Sequence, residues 1–368
     1  MKGLYIHIPF CRKICTYCDF AKEVATSSKQ TAYIERLLKE MDYYQNELKD
    51  VTTLYIGGGT PSVLTHQALT KIVGHLKQYL DFAQLKEATI ELNPNDVDSA
   101  LSALLYKLGF TRVSLGVQTF SNAQLKFLNR EHREEDVEAA IKHLRTAGFY
   151  NISIDMIFAL PAQTLEALDQ DIEKALQLNV EHVSYYSLIL EEQTPLHYLV
   201  EHKRVTMPDE DLEGAMYERV MHRLKKAGFE HYEISNFSKH NQRSKHNMVY
   251  WKNAPYIGLG AGSHGLLHDS RYHNVRSIKK YIEAVDRNGY GIQDTYPFEP
   301  LRDHLLMGLR MLEGVSLETI QQRYGVDLLK NYPKLITYMN QNLLEIVDNH
   351  LRFTKKGLML GNDIFAIF

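Results

Sequence analysis

Cysteine is scarce in this chain. Its 368 residues carry three, and all of them fall in Cys11-Arg12-Lys13-Ile14-Cys15-Thr16-Tyr17-Cys18. An odd count packed into one loop excludes a framework of paired disulfides. Tryptophan occurs once, as Trp251. No apolar run reaches the roughly 18 residues of a spanning helix, so an integral membrane protein is not expected. Charge of one sign is missing too. Lys and Arg total 42 against 45 Asp and Glu, a net charge of −3. That leaves no global basic field, and no nucleic-acid partner is expected. No low-complexity tract or long linker is visible. No secretory leader is expected, because Met1-Lys2 leads straight into a strand. Thiols reserved for one site fit a reducing cytoplasm.

Three clustered thiols usually hold something inorganic. Structural zinc takes four ligands, commonly as two C-x₂₋₄-C pairs separated by a longer loop. Here one compact loop gives three, and His7, a possible fourth, sits on the preceding strand. A zinc-stabilised interaction protein is therefore the alternative from a different class. Cubane iron–sulfur clusters are held by thiolates, normally four. Three leave one iron open, and an open iron is a place for chemistry. The order C-x₃-C-x₂-C, with Tyr17 before the last cysteine, resembles the radical S-adenosylmethionine (SAM) superfamily. That resemblance implies a [4Fe–4S] cluster on Cys11, Cys15 and Cys18, with SAM chelating the open iron.

Around this loop the chain alternates strand and helix. Leu4, Ile6 and Ile8 share one face of a strand; Tyr5 and His7 share the other. Ser27-x-x-Gln30 reads as a capping box before Ile34, Leu37, Leu38 and Met41 at helical spacing. Further strands are expected at 53–59, 87–94, 112–119, 151–160 and 182–190, with helices between them. Six β–α units in about 200 residues imply a parallel sheet with right-handed crossovers. The motifs collect late in successive strands. That pattern favours a partial (β/α)6 barrel, with function at the carboxyl-terminal rim, over a doubly wound sheet with one switch point. The expected fold class is thus α/β. The barrel covers 1–200 and a connecting region 201–298, in which Pro208 opens a helix that runs to Gly228 and the stretch from about His231 to His273 has no clear period. A mainly helical, winged-helix-like domain covers 299–368, with a hairpin at Asp348-Asn349-His350. This tail lacks a basic stripe, so packing or partner contact is expected of it rather than DNA binding.

Several residues stand in phase with the rim. Gly57-Gly58-Gly59 lets backbone approach a ligand, or simply makes a turn. Thr60 and Pro61 set its exit. Glu91 and Asp155 lie on the polar phase of strands that otherwise read buried, where a lone carboxylate is costly. Each is a ligand group or half of a structural ion pair, with Arg130 as partner. Gln118 shares the inward phase. Tyr5 and Tyr17 flank the cysteine loop as packing or ligand residues.

Taken together, Tyr5, the cysteines, Tyr17, Gly58-Gly59-Thr60, Glu91, Gln118, Arg130 and Asp155 resemble the SAM-contacting positions of the oxygen-independent coproporphyrinogen III oxidase family. Two departures matter. That family ends its loop in C-x-C, where this chain has Phe20, and it carries an extension before the first strand. Both departures resemble its sister family, the haem chaperones called HemW. So does His246-Asn247-Met248-Val249-Tyr250-Trp251, an H-N-x-x-Y-W motif. Read on its own, that motif is either a haem seat or a loop histidine beside a packed aromatic pair. For a haem seat, an imidazole would ligate iron, with Asn247, Tyr250 and Trp251 against the ring. The resemblance implies a haem chaperone that hands haem to a respiratory acceptor protein. It further implies a domain able to cleave SAM but without the oxidase reaction. The alternative is the oxidase itself, which decarboxylates coproporphyrinogen III.

Overall fold

A computed structural model describes the backbone of all 368 residues and the side chains of all except Asn362 and Asp363. Six strands form in the expected order: β1 (Gly3–Ile8), β2 (Thr53–Gly58), β3 (Glu87–Leu92), β4 (Arg112–Gln118), β5 (Ile152–Phe158) and β6 (His182–Ser187). They pair in parallel in sequence order, each returned by helical connections. Period-two alternation decides which face is which. Leu4, Ile6, Leu54, Ile56, Ile90, Leu115, Ile154 and Val183 are fully buried under the helices. The opposite phase carries Tyr5, Tyr55, Glu91, Arg112, Ser114, Asp155 and Ser184. The concave face is therefore polar, as a site for a polar ligand requires. A barrel interior filled only for packing would be apolar.

Helix boundaries follow cap chemistry, with one shift from expectation. The first long helix (Ser27–Tyr43) is capped by Thr26, whose hydroxyl accepts the Lys29 N–H at 3.4 Å, so the cap is Thr26 and not Ser27. Asp98 caps the helix Ser99–Leu108, and Gly109 ends it at φ 100°.

Residues 201–298 are more than a connector. They extend the same sheet at both ends. β8 (Asn236–Ser238) adds antiparallel to β6, and β7 (Glu230–Glu233) adds antiparallel to β8 at the edge. β9 (Tyr256–Leu259) adds parallel to β1, followed outward by antiparallel β10 (His264–Leu267), β11 (Ser270–Asn274) and β12 (Ile292–Pro297). The result is an open sheet of twelve strands. These strands are only three to six residues long and separated by tight turns, so no period could develop. Buried Glu40 ties the extension to the first helix. Its carboxylate accepts from the Gly260 and Gly291 amides (both 2.8 Å), Asn274 (2.9 Å) and Tyr281 (2.7 Å).

The chain's end has a core of its own, built on Leu305, Leu309, Ile320, Leu335 and Leu351. Its three-stranded sheet contains the expected hairpin, turned at Asp348 and Asn349 with φ 48° and 64°. Among the described residues no helix is long and apolar enough to cross a membrane.

Candidate active site and its surroundings

The cysteine loop leaves the end of β1 and is pinned from several sides. The Cys11 amide bonds Glu23 O (3.1 Å), the Thr16 amide bonds Leu128 O (3.1 Å), and Asn129 Nδ2 bonds Ile14 O (2.8 Å). Cys11, Cys15 and Cys18 are all free and half-buried. They line one end of a cavity of about 460 Å³ at the carboxyl-terminal rim. Tyr17, Gly58, Gly59, Thr60, Glu91, Gln118, Arg130 and Asp155 line it as well. Among the described residues no three His, Cys, Asp or Glu side chains are arranged to hold a single metal ion. His7 cannot complete a zinc set. Its Nδ1 is bonded to Tyr5 Oη (2.9 Å) and its Nε2 to Ala21 O (2.7 Å).

The donors around the thiols suit an anionic cluster. Thr60 Oγ1 and Arg130 Nη1 each donate to a sulfur at 3.7 Å, the first to Cys11 and the second to Cys15. Burial pushes the Cys11 thiol up to about 11, against the Thr60 hydrogen bond, and raises Cys18 as well. Such thiols become thiolates only when a metal's charge replaces the proton. Arg130 Nε and Arg112 Nε are buried in this wall without a partner, as a site built for further negative charge would leave them.

The carboxylates do not pair with Arg130 as expected. Arg130 Nη2 instead donates to Asn93 Oδ1 (2.7 Å) and the Gly116 carbonyl, turning the guanidinium toward Cys15. Glu91 accepts from Tyr55 Oη (2.6 Å) and the Gly58 amide (3.0 Å). Burial, reinforced by the nearby charge of Asp155, raises it to about 7. Asp155 accepts from Ser114 Oγ (3.0 Å) and is raised by burial too. The cation whose field lowers both is Arg112, on the inward phase of β4. That phase was the signal that would have found it. Gln118 sits at a break in the β4–β5 register with φ 68°, a strained conformation for a non-glycine residue.

Two expectations change in meaning. Gly58 and Gly59 line the cavity, and the glycine run leaves room for protein as well. A Cβ at Gly57 would meet the Glu91 carboxylate at 2.8 Å, one at Gly58 the His7 ring at 2.6 Å, and one at Gly59 Phe10 O at 2.7 Å. Tyr5 faces a neighbouring cavity rather than the one that the cysteines line.

The H-N-x-x-Y-W segment is a short helix, Lys245–Trp251, closing the amino-terminal end of the strands. Glu87 on β3 caps it, accepting the Lys245 and His246 amides (3.0 and 2.9 Å). His246 is 1% exposed. Its Nδ1 bonds Thr53 Oγ1 (3.1 Å) and its Nε2 bonds Tyr250 Oη (2.7 Å), so no ring nitrogen is left for iron. The expectation of His246 as haem ligand is corrected on that geometry. Asn247 points into the cysteine cavity instead of a separate seat. Tyr250 and Trp251 line the neighbouring cavity, and Arg310 lies over the Trp251 ring at 4.9 Å.

Comparison with known proteins places this arrangement. Residues 5–175 match the radical SAM superfamily and residues 297–360 the HemN C-terminal domain. A protein named heme chaperone HemW from Lactococcus lactis is 40% identical, over 99% of this chain and 96% of its own. Its namesake from Bacillus subtilis is 37% identical, over 100% and 99%. The chain belongs to the HemW family. Among solved structures it is similar to the coproporphyrinogen III oxidase HemN from Escherichia coli, with a TM-score of 0.85. That match has 22% identity and covers 100% of this chain and 89% of that one. At this identity the likeness concerns the fold: a radical SAM barrel with a helical carboxyl-terminal region. Superfamily membership implies a [4Fe–4S] cluster and SAM. In this chain the three-cysteine loop is followed by Phe20, which is 67% exposed, where a C-x-C ending would place a fourth cysteine.

Proposed function

We propose that this protein is a haem-binding chaperone on a radical SAM scaffold, passing haem to an acceptor protein of the respiratory chain. The observation that carries the reading is the end-to-end match to relatives named heme chaperone HemW. Cys11, Cys15 and Cys18 would hold the cluster, and a cluster so held would supply the reductive cleavage of SAM. The chain's own residues bind and orient the SAM. Glu91 and Asp155 would accept from its amine and ribose hydroxyls, and Gln118 would supply an amide on the same cavity wall. Arg112 faces its carboxylate. Arg130, held by Asn93, balances the charge gathered at Cys15. Tyr17 packs at the loop's edge. Free thiols of this kind persist in a reducing compartment, which fits the cytoplasm.

Phe20, in place of a fourth cysteine, supports the chaperone over the oxidase. The test is anaerobic reconstitution followed by separate titrations with SAM and haem, then incubation with coproporphyrinogen III and a reductant. Iron and sulfide in a four-to-four ratio, binding of both ligands and no protoporphyrinogen are the expected results. Robust protoporphyrinogen formation, or no haem binding by the wild-type chain, would overturn the reading.

A further inference from the structure

A second cavity, of about 550 Å³, lies against the cysteine cavity. Among the described residues the two share only the Asp19–Phe20 segment, directly after Cys18. Its volume falls within the range of about 300–1,000 Å³ typical of cofactor pockets. The walls are aromatic: Tyr5 and Tyr256 from neighbouring strands, Tyr250 and Trp251 from the closing helix, and Phe20 from the cluster loop. Tyr250 and Tyr256 pack edge to face, with centroids 4.7 Å apart. Flat apolar walls of this kind suit a flat, extended ring.

The polar groups suit a ring with acidic side arms. Arg271 and Arg276 both line the cavity. Arg271 is committed to Asp303 (2.8 Å). Arg276 is not. It holds Asp19 through Nη2 alone, which among the described residues leaves Nη1 and Nε for a carboxylate. Trp251 Nε1 and Asn253 Nδ2, on residues of the same wall, are buried N–H donors without a partner.

Two imidazoles reach this cavity, His7 and His264. Both nitrogens of His7 are occupied, as described above. His264 is exposed on β10, and its one ring contact is with His273, centroids 5.6 Å apart. No hydrogen bond engages its ring among the described residues.

We propose that the second cavity is the haem seat, with His264 as the iron ligand and Arg276 as the anchor for a propionate. The proposal rests on the haem-chaperone reading and gives that reading a site. It differs from a seat on His246, which the barrel floor already uses.

The experiment titrates full-length protein with haem, following the Soret band, and with metal-free protoporphyrin IX, following its fluorescence. Wild type, His264→Ala, Arg276→Ala and the triple variant Cys11→Ala/Cys15→Ala/Cys18→Ala are compared, each checked by circular dichroism. His264→Ala is expected to shift the Soret band and weaken haem about ten-fold, equivalent to about 1.4 kcal/mol. It should leave metal-free protoporphyrin unaffected, because that ring carries no iron to ligate. Arg276→Ala is expected to weaken both porphyrins alike. The triple variant should keep the wild-type Soret position. An unshifted band and unchanged affinity in His264→Ala overturn the seat while leaving the chaperone reading intact. Equal loss of both porphyrins in His264→Ala overturns its role as ligand. Failure of the wild type to bind haem overturns the chaperone reading itself.

Discussion

Glu91 carries the clearest pH signature at the rim. Its ordinary value of 4.5 is raised to about 7, first by burial and then by Asp155, despite hydrogen bonds from Tyr55 and Gly58. Between these values the folded chain holds a proton that the unfolded chain has lost. The stability Glu91 contributes is therefore full below its unfolded value and disappears as pH rises through about 7. A cationic ligand reverses the balance, because it favours the ionised carboxylate. SAM brings an ammonium and a sulfonium. Its affinity is expected to rise with pH up to about 7, by at most about ten-fold per unit, and then level off. Calorimetric titration of the reconstituted protein across that range checks this. Glu91→Gln should bind SAM with a flat profile, and an unchanged slope in that variant would assign the proton elsewhere. The inward phase of Glu91, Gln118 and Asp155 was legible in sequence because strand alternation reports it directly. The Arg130 contact with Cys15 was not. It depends on where a loop residue lands after the helix Asn122–Phe127, and no period encodes that.

The helix Lys245–Trp251 shows how one motif can carry two kinds of residue. Its N-terminus is fixed by Glu87, and His246 bridges Thr53 and Tyr250 beneath the barrel. Gly3 is kept small by this helix, since a Cβ there would meet His246 Cε1 at 3.2 Å and Val249 Cγ1 at 3.4 Å. His246→Ala leaves two hydroxyls on buried ground without a partner. It is expected to cost about 1–3 kcal/mol of stability, read as a lower midpoint in thermal or urea denaturation. Trp251→Ala opens one wall of a cavity and should move that midpoint less, while weakening porphyrin binding. A His246→Ala variant as stable as wild type would show that the histidine is not part of the floor. Sequence alone grouped these residues because they are neighbours in the chain. The helix separates them by direction: His246 into the floor, Asn247 into the cysteine cavity, Tyr250 and Trp251 into the next. Burial and hydrogen-bond partners make that distinction, and they come from distant strands (Thr53, Glu87), from the helix itself (Tyr250) and from later chain (Tyr256, Arg310).

Across the whole molecule the barrel was readable because its signal repeats. Each β–α unit restates the same alternation, and Asp98 and Gly109 mark helix ends by local chemistry. The strands of residues 230–297 repeat nothing, yet they build the wall that turns one site into two adjoining cavities. The segment Asp19–Phe20 belongs to both. A cluster on the loop would fix Cys18 and with it the next two residues. Asp19 in turn orients Arg276. Loading should therefore pre-organise the haem wall, and haem should bind more tightly to loaded than to cluster-free protein, by about five-fold or more if the coupling lies in the usual range. By reciprocity, haem should strengthen cluster retention to the same degree. Soret titrations of both forms under anaerobic conditions give the ratio directly. In Asp19→Ala, which keeps all three cysteines, the loaded and cluster-free forms are expected to bind haem equally. A ratio of one in the wild type would mean that the two cavities share a wall but exchange no free energy.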